Sequence, residues 1–141
     1  MNYIDSRCFI DTNIFVYALN PIDRPKTAIA RKLLRELANN GNGVVSPQAL
    51  LETFNVMVNK LKLDRAKARQ VTSKLSRYEL VFADNATLRS TLDLAVLNSI
   101  SIWDAHIVAS AIQSRAKYLL SEDLQAGQDF HGVEVVNPFR P

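Results

Sequence analysis

Short apolar runs alternate with longer stretches of helical periodicity along most of the chain. Arg7-Cys8-Phe9-Ile10 is the first run; it predicts a buried strand ending abruptly on Asp11, with residues 13–19 as a short apolar helix or turn behind it. Asn20-Pro21 and Arg24-Pro25 break the pattern. From Lys26 to Asn39, Ala30, Leu33, Leu34 and Leu37 recur at the spacing of an amphipathic helix, which Asn40-Gly41-Asn42-Gly43 stops. Val44-Val45-Ser46 predicts a second strand. Ser46 can cap a helix whose first residue is Pro47, where a missing N–H costs nothing.

That helix is expected to run to about Leu61, with Leu50, Phe54, Met57, Val58 and Leu61 on its core face. Asp64 opens a basic helix through about Arg77, and residues 80–83 predict a third strand. Residues 85–97 predict a helix with Leu88, Leu92, Ala95 and Val96 facing inward, and residues 101–115 another. Residues 118–120 and 133–136 complete the set as strands. The alternation implies a single α/β domain over residues 1–141. Its expected form is a three-layer α/β/α stack around a mainly parallel sheet of about five strands, joined by right-handed crossovers.

Ligands of such sheets bind outside the carboxyl ends of the strands. Asp11 and Asp123 directly follow strands, Glu52 lies early in the helix after the second strand, and Asp104 lies near the start of the helix before the fourth. All four can reach one rim, where their mutual repulsion calls for a divalent cation. Each also has a plainer use. Asp11 can cap the next helix. Glu52 sits at the border of the core face, where a lysine over it would suffice. Asp104 completes a capping-box pattern with Ser101, yet it heads the row Ile107, Val108 and Ala111. Asp123 can be an ordinary turn acid leading to Gly127. The plainer uses need four separate explanations, and one cation covers all four.

Composition narrows the chemistry. The chain has 48% apolar and 22% charged residues and a net charge of +3. No apolar run approaches the ~20 residues that span a bilayer, and no basic N-terminal region precedes an apolar core. The single cysteine, Cys8, cannot form an internal disulfide, so the expectation is a cytoplasmic protein without a membrane role. Seven basic residues between Lys60 and Arg77 face one acid, Asp64, so the remainder of the chain is net acidic. That band reads either as a solvated helix face or as a grip for a polyanion, with Lys60, Lys62, Arg65, Lys67 and Arg69 as its candidate contacts. The only histidines, His106 and His131, read as surface residues, and no Ser–His–Asp or Cys–His arrangement is evident. Phosphate-cradling glycine loops are absent, and oxygen-only ligands suit Mg²⁺ or Mn²⁺ better than zinc. An all-carboxylate site beside a basic surface points to phosphodiester hydrolysis by water.

Four segments then resemble a PIN domain: Phe9-Ile10-Asp11-Thr12-Asn13, Ala49-Leu50-Leu51-Glu52-Thr53-Phe54, Trp103-Asp104-Ala105 with Ile107-Val108-Ala109, and Leu120-Ser121-Glu122-Asp123. The chain is most similar to the VapC-type toxins of bacterial toxin–antitoxin pairs. The resemblance implies an Mg²⁺- or Mn²⁺-dependent endoribonuclease, with Asp11 and Asp104 as main metal ligands and Glu52 and Asp123 completing the acidic pocket. Asn13 and Ser121 match positions that hold the acids or the phosphate. A homodimer and an antitoxin partner are implied as well. The doubled acid Glu122-Asp123 departs from the pattern, and Asp123 is the choice because it lies two residues after Ser121. His106 also departs, where an apolar residue is usual. The competing expectations are a PIN-like module that binds RNA or protein without cutting, and an acidic-pocket phosphatase. The phosphatases that use an aspartyl nucleophile carry a second Asp where this chain has Asn13.

Overall fold

A computed structural model describes residues 2–140. Six strands form one sheet: β1 (Cys8–Ile10), β2 (Gly43–Val45), β3 (Glu79–Leu80), β4 (Tyr118–Leu120), β5 (Asp129–Phe130) and β6 (Val133–Val136). Their spatial order is β3-β2-β1-β4-β6-β5, with every pair parallel except β5–β6. The helices are α1 (Thr12–Leu19), α2 (Arg24–Asn40), α3 (Pro47–Asn59), α4 (Arg65–Leu75), α5 (Asn85–Asn98) and α6 (Ile102–Gln113), preceded by a 3₁₀ turn at Tyr3–Asp5.

Local sequence sets each helix start. Asp23, Ser46, Asp64, Asp84 and Ser101 all accept a first-turn backbone N–H at α2 to α6, satisfying donors that the helix itself leaves unpaired. Gly41 then ends α2 in the left-handed conformation, φ 69°.

Side-chain alternation along β1 divides the interior. Cys8 and Ile10 pack with Ile14, Phe15, Leu33 and Leu37 on the α1/α2 side. Phe9 packs with Leu94, Ala105, Val108 and Leu119 on the α5/α6 side. Burial pushes the Cys8 thiol up to about 12, which suits a core residue and not a reactive one.

The expected α/β/α sandwich is thus present, with three local differences. The third strand is only Glu79–Leu80; Val81 still donates to Val45 O (3.0 Å), but Phe82 turns out to solvent. The sixth strand, β5, was not expected. It is an antiparallel edge made by a two-residue hairpin loop, His131-Gly132, in which both residues have positive φ (52° and 94°). Third, α5 is rotated from its expected setting. Leu88, Leu92 and Val96 are 59%, 51% and 80% exposed, while Thr87, Thr91 and Leu94 are buried. The threonines tolerate this because their hydroxyls are bonded locally: Thr91 Oγ1 donates to Thr87 O (2.7 Å), and Thr87 joins Asp84 in a capping box. On α3, Leu50 and Met57 are buried, whereas Phe54 and Val58 are only partly so; the helix ends at Asn59, so the expected core residue Leu61 lies beyond it, partly buried.

Gly43 is required by close approach. A Cβ there would stand 2.6 Å from Tyr78 Cδ1, and that ring cannot easily yield. Tyr78 is buried, donates its hydroxyl to Leu34 O (2.7 Å) and packs edge-on against Phe15. Gly43→Ala is therefore expected to destabilise the fold by about 1–3 kcal/mol, the usual cost of overpacking. Chemical denaturation measures this, and an unchanged midpoint would contradict the close seating of Tyr78 on β2.

An acidic cleft at the carboxyl edge of the sheet

The chain leaves β1 toward β2 on one side, while β4 flanks it on the other, so the order of connection reverses between β1 and β4. Asp11 sits at that point. Its N–H donates to Leu120 O at the end of β4 (3.1 Å), and its side chain is 4% exposed. One carboxylate oxygen, Oδ1, accepts the Thr12 N–H (2.7 Å) and caps α1; the other, Oδ2, accepts the Ser121 hydroxyl (2.7 Å). Capping and site placement are therefore one arrangement.

Thr12 and Asn13 reach in different directions. Thr12 Oγ1 donates to Glu52 Oε2 (2.8 Å), whose Oε1 also accepts from Gln48 Nε2 (3.0 Å). Asn13 Nδ2 donates to Asp123 Oδ2 (3.1 Å), and the Asp123 N–H donates to Ser121 Oγ (3.2 Å). Glu52 is exposed and not at a buried border as expected; Thr12 and Gln48 hold it in place of a lysine. The linking role of Thr12 was missed from sequence, although its place directly after Asp11 was the available signal.

Asp104 lies in the first turn of α6, half-buried. Its N–H donates to Ser101 Oγ (3.1 Å), but among the described residues its carboxylate makes no return bond, so only one arm of the expected capping box exists. The doubled acid separates cleanly: Glu122 pairs with Lys26, and Asp123 with Asn13.

Asp11, Glu52, Asp104 and Asp123 line a single open cleft of about 590 Å³, together with Lys60 and Trp103. Among the described residues, however, no three His, Cys, Asp or Glu side chains stand close enough to form a ready-made metal cage. The acids surround a space without closing on a point. Burial pushes the Asp11 carboxyl up to about 6; the nearby charges of Asp123 and Glu52 add to the rise, against the pull of the Ser121 and Thr12 bonds. Asn13 Oδ1 is buried without a hydrogen-bond partner, leaving an open acceptor among the acids. An oxygen-only set, spaced widely enough to leave room for water, fits a hydrated hard cation, which takes one or two carboxylates and keeps much of its water shell.

The other candidates are dispersed. Of the basic band, Lys60 lines the acidic cleft, whereas Arg69 borders a separate groove with Leu51 and Phe54 between α3 and α4. Lys62, Arg65 and Lys67 are exposed. His131 is exposed on the β5–β6 turn, as expected. His106 is not a surface residue: both ring nitrogens are buried and unpartnered, because its helical face, with Ala109 and Ser110, turns into the protein.

A PIN domain family model matches residues 8–128. No curated protein matches the chain. Among solved structures, a toxin–antitoxin complex from Klebsiella pneumoniae aligns with a TM-score of 0.68 at 21% identity, covering 93% of this chain and 97% of that one. VapC20 of Mycobacterium tuberculosis, a Sarcin-Ricin loop cleaving toxin, aligns at 0.65 and 14% identity over 82% and 89% of the two chains. VapBC2 from Rickettsia felis, bound to a DNA fragment from its promoter, aligns at 0.61 and 24% identity over 82% and 87%. At these identities the likeness is one of fold.

The raised Asp11 carboxyl makes a stability prediction. Folding raises its proton affinity, so its ionised form costs stability above about pH 6, and the cost fades as pH falls toward the ordinary 3.8. Asp11→Asn in metal-free buffer is expected to be more stable by about 1–3 kcal/mol at neutral pH. That advantage shrinks in acid. Thermal unfolding across the pH range measures it, and a pH-independent difference would contradict the buried, repelled carboxylate.

Proposed function

The chain belongs to the PIN domain family, and from that premise we propose that it is a divalent-metal-dependent endoribonuclease, the toxin of a VapC-type toxin–antitoxin pair. The observation that carries the reading is the Asp11-Thr12-Asn13 turn. Its first residue plants a carboxylate at the switch point, and the next two hold Glu52 and Asp123 on the walls of the same cleft.

In this reading Asp11, Asp104 and Asp123 hold Mg²⁺ or Mn²⁺. When bound, the ion supplies Lewis-acid charge to the phosphoryl oxygens and makes water acidic enough to attack near neutral pH. Glu52, solvent-exposed and fixed by Thr12 and Gln48, is the acid available to take a proton. Ser121 and Asn13 keep the carboxylates in place. Attack by water leaves a 5′-phosphate and a 3′-hydroxyl. Neither imidazole lines the main cleft, so a paired-histidine route through a cyclic phosphate has no support here. The substrate is RNA, with Lys60 and the exposed Lys62, Arg65, Lys67 and Arg69 as candidate backbone contacts. The partner is a cognate antitoxin, and the place of action the cytoplasm. The exposed Leu88, Leu92, Val96 and Leu97 on α5 support a homodimer. Among the described residues no helix is long and apolar enough to cross a membrane.

The competing reading is a module that binds RNA without cutting it, built on the same open cleft, where among the described residues no three acids stand as a preformed cage. Incubating purified protein with RNA and Mg²⁺, Mn²⁺ or EDTA separates the two. Cleavage is expected only with metal, with 5′-phosphate ends. It should fall roughly a hundredfold or more in Asp11→Asn and in Asp104→Asn, the loss expected when metal-borne charge stabilisation is removed. Full activity in either variant would refute the site; intact binding with no cleavage of any RNA would establish the module.

The position of Lys60 generates a second prediction. Lys60→Glu is expected to weaken RNA binding and flatten its salt dependence more than Arg69→Glu, because only Lys60 lines the acid cleft. Equal effects would place the RNA path along α4 instead.

A further inference from the structure

Trp103 is the only tryptophan in the chain and is 70% exposed. It occupies the first turn of α6, immediately before Asp104. Its side chain lines the acidic cleft and also an adjoining apolar groove of about 290 Å³ with Leu88, Leu92 and Ile102. On the cleft side it shares the lining with apolar Val16, Ile22 and Ile107. The cleft's other aromatic residue, Tyr17, is already engaged: Phe139 packs edge-on at 4.9 Å, and the Lys26 ammonium lies over its ring at 4.9 Å. Among the described residues Trp103 has no aromatic or cationic partner.

An acid site that acts on a phosphodiester must also house the bases on either side of it. In a single strand those bases are free to leave their neighbours, and an open aromatic face gives one of them a new stacking partner. Resting on the nuclease reading above, we propose that Trp103 is the base-stacking platform of this cleft. It holds one unpaired base of a single-stranded RNA beside the phosphate presented to Asp11 and Asp104. Stacking tolerates any base, so the residue selects unpaired over duplex RNA and does not read sequence. A paired base has no free face to offer.

Because no other tryptophan contributes to the emission, its fluorescence reports this contact directly. The probe is a fluorescein-labelled oligoadenylate of about a dozen nucleotides, within the span of known single-strand sites. It is titrated into Asp11→Asn protein so that the strand stays whole, and anisotropy gives binding independently of fluorescence. Tryptophan emission is expected to fall with the same midpoint as the anisotropy rise, while an abasic oligonucleotide leaves emission unchanged. Trp103→Ala should weaken binding roughly ten- to a hundredfold, as loss of one stacked base does. Trp103→Phe should recover most of it. RNA that binds without quenching, with Trp103→Ala in the otherwise native chain cutting at the native rate, would overturn the stacking role and leave the nuclease standing. Failure of the folded protein to bind any RNA would overturn both. Emission that shifts blue with protein concentration, with Trp103→Ala splitting a dimer at unchanged RNA affinity, would assign the indole to an interface between copies and overturn the proposal.

Discussion

The hydrogen bond from Ser121 to Asp11 joins the ends of the two central strands, β1 and β4, and the acidic edge of the molecule depends on it. A carboxylate that is 4% exposed is tolerable only with its oxygens bonded, and here one oxygen takes a hydroxyl while the other takes a helix N-terminus. Ser121, fully buried, also receives the Asp123 N–H, so the same hydroxyl fixes the turn that carries a second acid. Parallel pairing of β1 with β4 brings the two residues level, Ile10 opposite Leu120, and the side chains that follow meet across the sheet edge. Topology and site geometry are one constraint.

From that point the next two residues spread the order outward. Thr12 takes Glu52 from α3, and Asn13 takes Asp123 from the loop after β4. Both are short polar side chains in the first turn of α1, so little conformational entropy opposes their placement. Asp104 stands outside this web. Its backbone is fixed by Ser101; the residue lines the cleft, and its carboxylate makes no hydrogen bond among the described residues. The site is thus three acids tied to one turn and a fourth carried on a separate helix.

Much of this was legible because it rests on local signals. The strand ending on Asp11, the caps at Asp11, Ser46, Asp64 and Ser101, and the proline opening α3 each follow from the chemistry of one or two residues, and the structure repeats them with small shifts of boundary. What failed was orientation about a helix axis. On α5 both faces offer a helical row, Leu88-Leu92-Val96 and Thr87-Thr91-Leu94, and hydrophobicity alone chooses the first. The chain buries the second, because threonine hydroxyls bond within the helix and their small bulk lets α5 lie close on α6. His106 departs from its surface expectation for a related reason: its helical face turns into the interior, where Ala109 and Ser110 are buried. The β5 edge escaped notice because its turn is His-Gly, not the more telling Asn-Gly.

The rotation of α5 has a further physical consequence. A helix that turns Leu88, Leu92, Val96 and Leu97 outward leaves them unshielded among the described residues, and a face of that kind ordinarily meets another surface. The first turn of α6 carries the boundary between this apolar face and the acid cleft. Ile102 faces the apolar groove, Trp103 lines both, and Asp104 lines the cleft. Any partner seated on α5 would therefore lie one or two residues from the acid that the Asp11 turn does not hold.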